Sequence, residues 1–327
     1  MKLLTAISLI LASGLTFANP HERKLDGFKL SKEKCTDIDI RDKATPEIKE
    51  HYSNPIDQGN IGWCYGYSAT DLLSFEVGKP LSPTHVSSIY NKSIRSNLFW
   101  KAGYNIMRLF GDRQIYEGGF SNKAAREGIK ASPICGYDVK DEKSDFVEIL
   151  EEVRSRVINK EFDEDLACKV LNELVPSIDT KSEDFMKEFI NRDLNDTLES
   201  MLRKSCQHLI EIPKKEVKMY WPPVFYSKSG QRKYAEKING ILNQGKPLSV
   251  AYNTSHISPS IRGFHASTVI GRRWNNNRCE YNIKNTWGRL CGPDVYKADI
   301  ECNEDDGSYW VKDETLFDMS LNFTYLQ

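Results

Sequence analysis

The chain of 327 residues is long enough for one large domain or two small ones, with a substantial hydrophobic core. Its 45 basic and 46 acidic side chains nearly cancel, so charge gives no reason to expect nucleic acid as a partner. Hydrophobic residues at 39% and aromatic residues at 11% are typical of a globular protein.

The first 18 residues have the pattern of a secretory signal peptide. Lys2 precedes a mostly apolar run from Leu3 to Leu11, and small residues then lead to a cleavage site predicted after Ala18. A membrane anchor is the alternative, but this run is too short to span a hydrocarbon layer of about 30 Å. We therefore expect residues 1–18 to be removed and the mature protein to be secreted, either extracellular or periplasmic, with no membrane partner.

Eight cysteines follow this segment, and an exported protein can keep disulfides between them. They are Cys35, Cys64, Cys135, Cys168, Cys206, Cys279, Cys291 and Cys302. We prefer a Cys168–Cys206 pair and one bridge among the last three cysteines, although spacing does not fix connectivity. If Cys64 is a free nucleophile, seven cysteines remain, and an odd number leaves at least one more thiol unpaired.

Residues 19–140 divide into an arm and a helix-rich segment. Residues 19–50 are charged and have little periodicity, which predicts an extended arm laid on the domain. Residues 51–140 are predicted to form a helical lobe. This lobe contains the glycine-rich loop that leads into Cys64.

Three helix starts can be predicted in the helical lobe. The first helix begins at or near Cys64, continues with apolar residues at the spacing of a buried helix, and ends near Gly78. The second begins with Ser82 as N-cap and Pro83 at the first helical position. Ser121 is predicted to cap the third.

The composition changes at about residue 141. Residues 141–215 combine apolar residues at helical spacing with charged residues and almost no glycine, which predicts a helical insertion closed by Cys168 and Cys206. The insertion is either a surface excursion without a role in chemistry or a gate for substrate. Residues 216–327 are predicted to be mainly β, with a helix over 234–242 and strands over 247–252, 264–271, 279–285 and 307–311. The sequence therefore predicts an α+β fold of two lobes with a cleft between them.

Cys64 is the first candidate for chemistry, because its place at a helix N-terminus favours an anion there. Such a setting lowers the pKa of a thiol and makes the thiolate available as a nucleophile. A buried core cysteine is the other explanation of this stretch. A nucleophilic thiol also needs an imidazole to exchange its proton, a group that orients the imidazole, and a donor for the oxyanion.

The second half of the chain offers the imidazole and the group that would orient it. Of six histidines, His265 alone opens an apolar strand after a glycine-containing turn. The next strand ends in Asn285, which can bond the far ring nitrogen, and Trp287 can keep water off that bond. Taken singly, His265 can be explained as a core histidine, Asn285 as a turn asparagine and Trp287 as a packed tryptophan. Their order and context together favour a catalytic set.

With Cys64, these residues resemble the papain-like cysteine peptidases, which use a Cys-His-Asn triad. Gln58 stands six residues before Cys64, where that family has its oxyanion-hole glutamine. Gly118 and Gly119 resemble the family's Gly-Gly loop, which lines the non-primed substrate subsites. Trp287 matches the tryptophan that shields the family's histidine–asparagine pair.

The resemblance covers roughly residues 55–137 and 230–323, and it has departures. Ile61 replaces the first cysteine of the family's local signature, and Tyr116 stands where the partner of that cysteine is usual. The candidate nucleophile and base are about 200 positions apart, against roughly 130–150 in the family, and the predicted insertion accounts for the excess. The mature arm is also shorter than the inhibitory propeptide of secreted members.

The resemblance implies a divergent, exported, bacterial-type member that hydrolyses protein or peptide substrates through an acyl-enzyme. It implies the following roles: Cys64 as nucleophile, His265 as general acid and base, Asn285 as its orienting group, Gln58 in the oxyanion hole, Gly118 and Gly119 in substrate binding, and Trp287 as support. It implies a monomer with no cofactor and no metal. Two alternatives stay open: an acyl transferase or non-peptide amidase with the same thiol chemistry, and a catalytically silent binding protein on the same fold.

Overall fold

The computed structural model describes residues 29–96, 117–137, 145–174, 183–221 and 228–327. The predicted signal peptide lies outside these ranges, as does Tyr116. The helices within them are α1 (Pro46–Ser53), α2 (Cys64–Val77), α3 (Pro83–Ser96), α4 (Ser121–Ala131), α5 (Phe146–Ile158), α6 (Glu164–Leu174), α7 (Glu183–Asn191), α8 (Leu194–Ser205), α9 (Lys228–Asn243) and α10 (Asp313–Met319). The strands are β1 (Ile38–Asp39), β2 (Ile134–Cys135), β3 (Leu209–Ile210), β4 (Val217–Tyr220), β5 (Leu248–Asn253), β6 (Phe264–Asn275), β7 (Arg278–Lys284), β8 (Glu301–Asn303), β9 (Ser308–Lys312) and β10 (Ser320–Leu326).

The larger sheet is antiparallel and follows the order β4-β10-β5-β6-β7-β9-β8, with β1 paired to β6 from outside that path. A second, two-stranded sheet joins β2 and β3. The first half of the chain is mainly helical and the second half carries the sheet. This combination of helices and antiparallel sheet confirms the predicted α+β fold class.

Buried apolar side chains form two separate clusters, one for each half of the fold. The first includes Leu72 and Val86 of helices α2 and α3, and the second includes Val250 and Tyr281 of the sheet. Helix α2 packs against α3 and α4 and also against β5 and β6. It therefore lies at the junction of the two lobes, and its first residue is Cys64.

Residues 145–205, within the predicted insertion, form helices α5 to α8 in their described part. Leu150, Leu171, Phe189 and Leu198 are fully buried and belong to the first cluster. Helix α8 packs on α3. These helices therefore enlarge the core of the helical lobe. None of the helices in the described ranges is long and apolar enough to cross a membrane.

The disulfides correct one predicted pairing. Cys206 is bonded to Cys135, not to Cys168. The pairing of β2 with β3, which follows Cys206 closely, brings these two cysteines together. Cys168 is buried in α6 and forms no disulfide.

Two further disulfides join residues of the second half and the arm. Cys291 is bonded to Cys302, which confirms the expected bridge among the last three cysteines. Cys35 is bonded to Cys279, a long-range pair that the sequence did not suggest. Because β1 also pairs with β6, the described part of the arm is attached to the sheet twice.

Local signals for helix starts were partly right. Ser82 caps α3 as expected, since its hydroxyl accepts a hydrogen bond from the backbone N–H of His85. Ser121 was wrongly predicted as a cap: it is the first helical residue of α4, and its hydroxyl is bonded to Ser68 on α2. Helix α1 begins after Thr45, inside the segment expected to be extended.

Candidate active site

Cys64 is the first residue of α2, a helix of 14 residues that ends at Gly78 with a φ of +70°. The residue as a whole is partly exposed, and it forms no disulfide. Burial of the sulfur raises the pKa of the Cys64 thiol to about 11. The backbone N–H groups of Ala266, Tyr65 and Cys64 itself lie close enough to the sulfur to oppose this rise. The contact with Ala266 places the sulfur beside the residue that follows His265.

His265 and Asn285 meet because β6 and β7 are neighbouring antiparallel strands. His265 is the second residue of β6, and Asn285 directly follows β7. The ring nitrogen Nε2 of His265 is 2.8 Å from Oδ1 of Asn285. With Nε2 held in this way, Nδ1 is the ring nitrogen left to exchange a proton with a thiol.

The ionisation of this pair differs from the sequence-based expectation. Burial lowers the pKa of His265 to about 4, and the hydrogen bond to Asn285 opposes that decrease. Together with the raised pKa of Cys64, this favours a neutral thiol beside a neutral imidazole at pH 7. The sequence predicted a lowered thiol pKa from the position of Cys64 at a helix N-terminus. Desolvation by the surrounding lobes is the larger effect.

Asn285 is held by more groups than the sequence suggested. Its Oδ1 also accepts hydrogen bonds from Ser267 Oγ at 3.2 Å and from the backbone N–H of Thr286 at 2.9 Å. Its Nδ2 donates to the hydroxyl of Tyr296 at 2.7 Å. Ser267 could have been found from strand alternation, since it is two residues after His265 on the same face. Tyr296 lies in an irregular loop and gave no such signal.

Aromatic rings flank the imidazole of His265. The ring of Trp287 is 4.8 Å from it, centroid to centroid, and the ring of Tyr252 meets it edge-on at 5.5 Å. Trp287 is also 5.8 Å from the ring of Tyr296. The Trp287 ring thus lies between the rings of His265 and Tyr296, and its role as a shield for the His265–Asn285 bond stays a prediction.

Gln58 is buried between the loop before Cys64 and the segment after Asn285. Its Nε2 donates to the carbonyl of Ile61 at 2.6 Å, and its Oε1 accepts from the hydroxyl of Thr286 at 2.5 Å. Its backbone N–H donates to the carbonyl of Thr286 at 3.0 Å. A side-chain amide carries two N–H groups, so the bond to Ile61 leaves a second one for an oxyanion.

Gly118 and Gly119 lie against the loop that delivers Cys64. The N–H of Gly118 donates to the carbonyl of Gly62 at 2.9 Å, and Gly118 has a φ of +79° with open space above its Cα. A Cβ on Gly119 would stand 2.6 Å from Tyr90 and 2.9 Å from Tyr65. The first glycine therefore leaves the surface open, and the second lets the loop pack closely on the helical lobe.

Polar side chains on α2 bridge to the sheet behind Cys64. Asp71 accepts a hydrogen bond from Thr268 of β6 at 2.7 Å, and its other oxygen is 3.2 Å from Nε2 of His51. Ser68 is bonded to Ser249 of β5 at 3.0 Å. These bonds fix the helix that carries Cys64 relative to the strand that carries His265.

Within the described ranges, no cluster of three or more His, Cys, Asp or Glu side chains could hold a metal ion. The arrangement that is present can perform nucleophilic thiol chemistry.

No protein-family model and no curated protein matches the sequence. Solved structures of papain-family cysteine proteases do resemble it. A bromelain from Ananas comosus in complex with an inhibitor shares 11% identity at a TM-score of 0.39, with 89% of this chain and 98% of that chain covered. A digestive procathepsin L from the larval midgut of Tenebrio molitor shares 13% identity at a TM-score of 0.42, with 96% of this chain and 78% of that chain covered. A cysteine protease of Carica candamarcensis shares 14% identity at a TM-score of 0.43, with 89% of this chain and 98% of that chain covered.

Proposed function

We propose that this protein is a secreted cysteine peptidase that hydrolyses peptide bonds through an acyl-enzyme on Cys64. The observation that carries the proposal is the 2.8 Å hydrogen bond between His265 Nε2 and Asn285 Oδ1, beside the thiol at the N-terminus of α2. This is the order of nucleophile, base and orienting group that amide hydrolysis by a thiol requires.

The first half of the reaction forms the acyl-enzyme. His265 is neutral at pH 7, because burial lowers its pKa to about 4, so Nδ1 can accept the proton of the Cys64 thiol. The sulfur attacks the peptide carbonyl carbon, and a C–S bond forms while the carbonyl oxygen takes the negative charge. His265 then gives its proton to the amide nitrogen. The C–N bond breaks and the amine product leaves.

The second half releases the acid product. His265 takes a proton from water, the hydroxide oxygen attacks the acyl carbon, and the C–S bond breaks with return of the proton to sulfur. In both halves the oxyanion accepts hydrogen bonds from the Cys64 backbone N–H and from the Gln58 side chain. Removing one such donor typically lowers kcat by about 10²–10³-fold.

The remaining site residues have supporting roles in the proposal. Asn285 keeps the His265 ring oriented, and Trp287 limits the access of water to their hydrogen bond. Gly118 presents open backbone on which an extended peptide can lie, and Gly119 lets its loop pack closely on the helical lobe. Secretion is supported by three disulfides, which persist in oxidising compartments.

The test is cleavage of a randomised peptide library by the purified chain with its disulfides intact. Wild type is compared with Cys64→Ala and with Cys168→Ala, which removes the other thiol outside the disulfides. We expect Cys64→Ala to lose at least about a thousandfold in rate and Cys168→Ala to keep the wild-type rate. Circular dichroism and thermal unfolding check that each variant is folded.

Three results would overturn the proposal. Cleavage that survives in folded Cys64→Ala would assign the activity to another group. A folded wild type that cleaves no peptide in the library would favour a binding protein. Transfer of the acyl group to an added amine in preference to water would favour an acyl transferase.

A further inference from the structure

Neighbouring strands bring two hydroxyl groups to the face of the sheet that carries His265. Ser267 is two residues after His265 on β6, so the two side chains share a face. Tyr252 of β5 lies directly opposite His265 in the strand pairing, which places its long side chain within reach of Ser267. The register of β6 with β7 brings Ser267 level with Asn285. A buried serine therefore lies between a buried tyrosine and the asparagine that orients the imidazole.

The hydrogen bonds of this set have one possible direction. The backbone N–H of Thr286 can only donate, and it lies 2.9 Å from Oδ1 of Asn285, which assigns that atom as the amide oxygen. Ser267 Oγ is 3.2 Å from the same oxygen and donates its single proton to it. Since that proton is used, the hydroxyl of Tyr252, 3.0 Å from Ser267 Oγ, donates to the serine. The donors thus run from Tyr252 through Ser267 to Asn285.

His265 donates to the same oxygen of Asn285. Because an amide oxygen only accepts, Nε2 of His265 carries a proton, and Nδ1 is the basic nitrogen of the neutral ring. Oδ1 of Asn285 therefore meets three donors, from His265, Ser267 and Thr286, and it has two lone pairs to share among them. A protonated imidazole is a charged donor and forms a bond roughly twice as strong as a neutral one. The serine proton competes with that bond.

The titratable groups beside His265 stay neutral while its imidazole titrates. They are the thiol of Cys64 on α2, the hydroxyl of Tyr252 on β5 and the hydroxyl of Tyr296 in the loop before β8. Burial raises the pKa of each of these three groups above its ordinary value. In the part of the chain that the structure describes, burial and the bond to Asn285 shift the pKa of His265, and charged side chains do not contribute. The bond to Asn285 is therefore the polar contact that affects how easily His265 takes up a proton.

We propose that Ser267 is a positioning residue, whose hydroxyl is held on Asn285 by Tyr252 and limits how strongly Asn285 can stabilise protonated His265. This inference rests on the proposed peptidase function, in which neutral His265 accepts the proton of the thiol. Because the serine occupies part of the amide oxygen, the imidazole stays neutral, and able to accept a proton, at more acidic pH. Donors in a chain strengthen one another, so Tyr252 acts through Ser267.

The first measurement is the pH dependence of kcat/KM in Ser267→Ala, which leaves the oxygen of Asn285 to His265 and Thr286. Protonated His265 is then better stabilised, its pKa rises, and the acid limb of the profile moves to higher pH. We expect a shift of about half to one pH unit, so that kcat/KM at a pH on the limb falls about three- to tenfold. Tyr252→Phe keeps the ring beside His265 and should shift the limb by a smaller amount in the same direction.

Two further variants separate this role from a loss of structure. In the double variant of Ser267→Ala with Tyr252→Phe, the tyrosine has no serine to act through, so the profile should match that of Ser267→Ala. Ser88→Ala removes a buried hydroxyl from α3, where it donates to the carbonyl of His85 at 2.8 Å, and it should keep the wild-type profile. A merely structural role for Ser267 would lower kcat/KM by the same factor at every pH.

Nuclear magnetic resonance tests the same inference without activity. With isotope-labelled histidine in the disulfide-bonded chain, the ring nitrogens of His265, assigned by comparison with His265→Gln, should show the neutral ring with its proton on Nε2. Their titration should occur at higher pH in Ser267→Ala than in wild type. If the two proteins titrate together, the role of Ser267 is wrong while the peptidase function stands. If wild type cleaves no peptide of the randomised library, the peptidase function fails, and the titration still decides whether Ser267 acts on His265.

Discussion

The side-chain Nδ2 of Asn285 donates a hydrogen bond to the hydroxyl of Tyr296, with 2.7 Å between nitrogen and oxygen. At its other end Asn285 accepts from His265 and from the backbone N–H of Thr286, and the tyrosine hydroxyl stabilises the amide in the orientation that these donors require. Tyr296 is buried, and burial raises its pKa far above the usual range, which keeps the hydroxyl neutral at any working pH. It lies in the loop closed by Cys291 and Cys302.

Tyr296→Phe should therefore impair the chemistry more than the binding of substrate. Without the hydroxyl, the Nδ2 group of Asn285 is buried with one acceptor fewer, and the reversed amide would present a donor to His265. We expect kcat to fall about 10- to 100-fold at nearly constant KM, since a buried polar group that loses its partner costs about 1–3 kcal/mol. Steady-state kinetics with a peptide substrate measure both constants.

Two comparisons keep this expectation specific. Tyr325→Phe on β10 removes a hydroxyl far along the sheet and should leave kcat unchanged. A pH–rate profile should change shape in Tyr296→Phe, because the imidazole loses its fixed orientation. A variant with wild-type kcat and an unchanged profile would show that Asn285 is held without Tyr296.

Much of the candidate site follows from local sequence. The helix start at Cys64 and the strand at His265 depend on capping, glycine and alternation signals that lie within a few residues. The Cys135–Cys206 bridge could not be predicted in the same way, because it depends on the pairing of two strands of only two residues each. Tyr296 depends on the path of an irregular loop.

The pKa of the Cys64 thiol could not be predicted from local sequence either. A helix N-terminus is visible in the sequence, and it lowers the pKa of a thiol. The burial of Cys64 by the opposite lobe is a tertiary effect, and in the unliganded structure it is larger. Strand β10 was also missed, since its seven residues follow a short helix and become a strand by pairing with β4 and β5.

Alkylation of Cys64 by the neutral reagent iodoacetamide should rise with pH. The thiol pKa is raised to about 11, so between pH 6 and 9 the thiolate fraction grows about tenfold per unit, and the rate with it. Protonation of His265 does not intervene, because its pKa is about 4. Mass spectrometry of Cys168→Ala, in which Cys64 is the remaining thiol outside the disulfides, measures the rate. A plateau at mildly acidic pH would instead reveal a thiolate–imidazolium pair formed before substrate binds.

Stability should decrease at acid pH in part through His85. Burial lowers its pKa to about 4, and the nearby positive charge of Arg203 acts in the same direction while Glu199 opposes it. Its Nδ1 accepts from the N–H of Cys135 at 3.1 Å, and within the described ranges its buried Nε2 has no hydrogen-bond partner. The folded pKa is below the ordinary value of about 6.5, so unfolding takes up a proton between about pH 6.5 and 4.

The contribution of neutral His85 to the free energy of unfolding is therefore complete above about pH 6.5 and is lost as pH falls through 4. This one group accounts for up to about 3 kcal/mol. Urea unfolding of the disulfide-bonded chain at pH 7 and at pH 4.5 measures the loss. His85→Gln keeps an acceptor for the Cys135 N–H but cannot take up a proton, so it should lose less stability between the two pH values. Equal losses in both proteins would show that His85 does not titrate on unfolding.

The bond between Thr268 and Asp71 should matter for both stability and catalysis, because it joins the strand of His265 to the helix of Cys64. Thr268→Val keeps the shape of the side chain and removes one donor from a buried carboxylate. A hydrogen bond to a charged group contributes about 1.5–3 kcal/mol, so we expect the free energy of unfolding to fall by about 2 kcal/mol. We also expect kcat to fall several-fold, since the thiol and the imidazole are no longer held in register, and urea unfolding with steady-state kinetics measures the two effects. A loss of stability with unchanged kcat would show that the other contacts between the lobes, among them Ser68 with Ser249, are sufficient to position the pair.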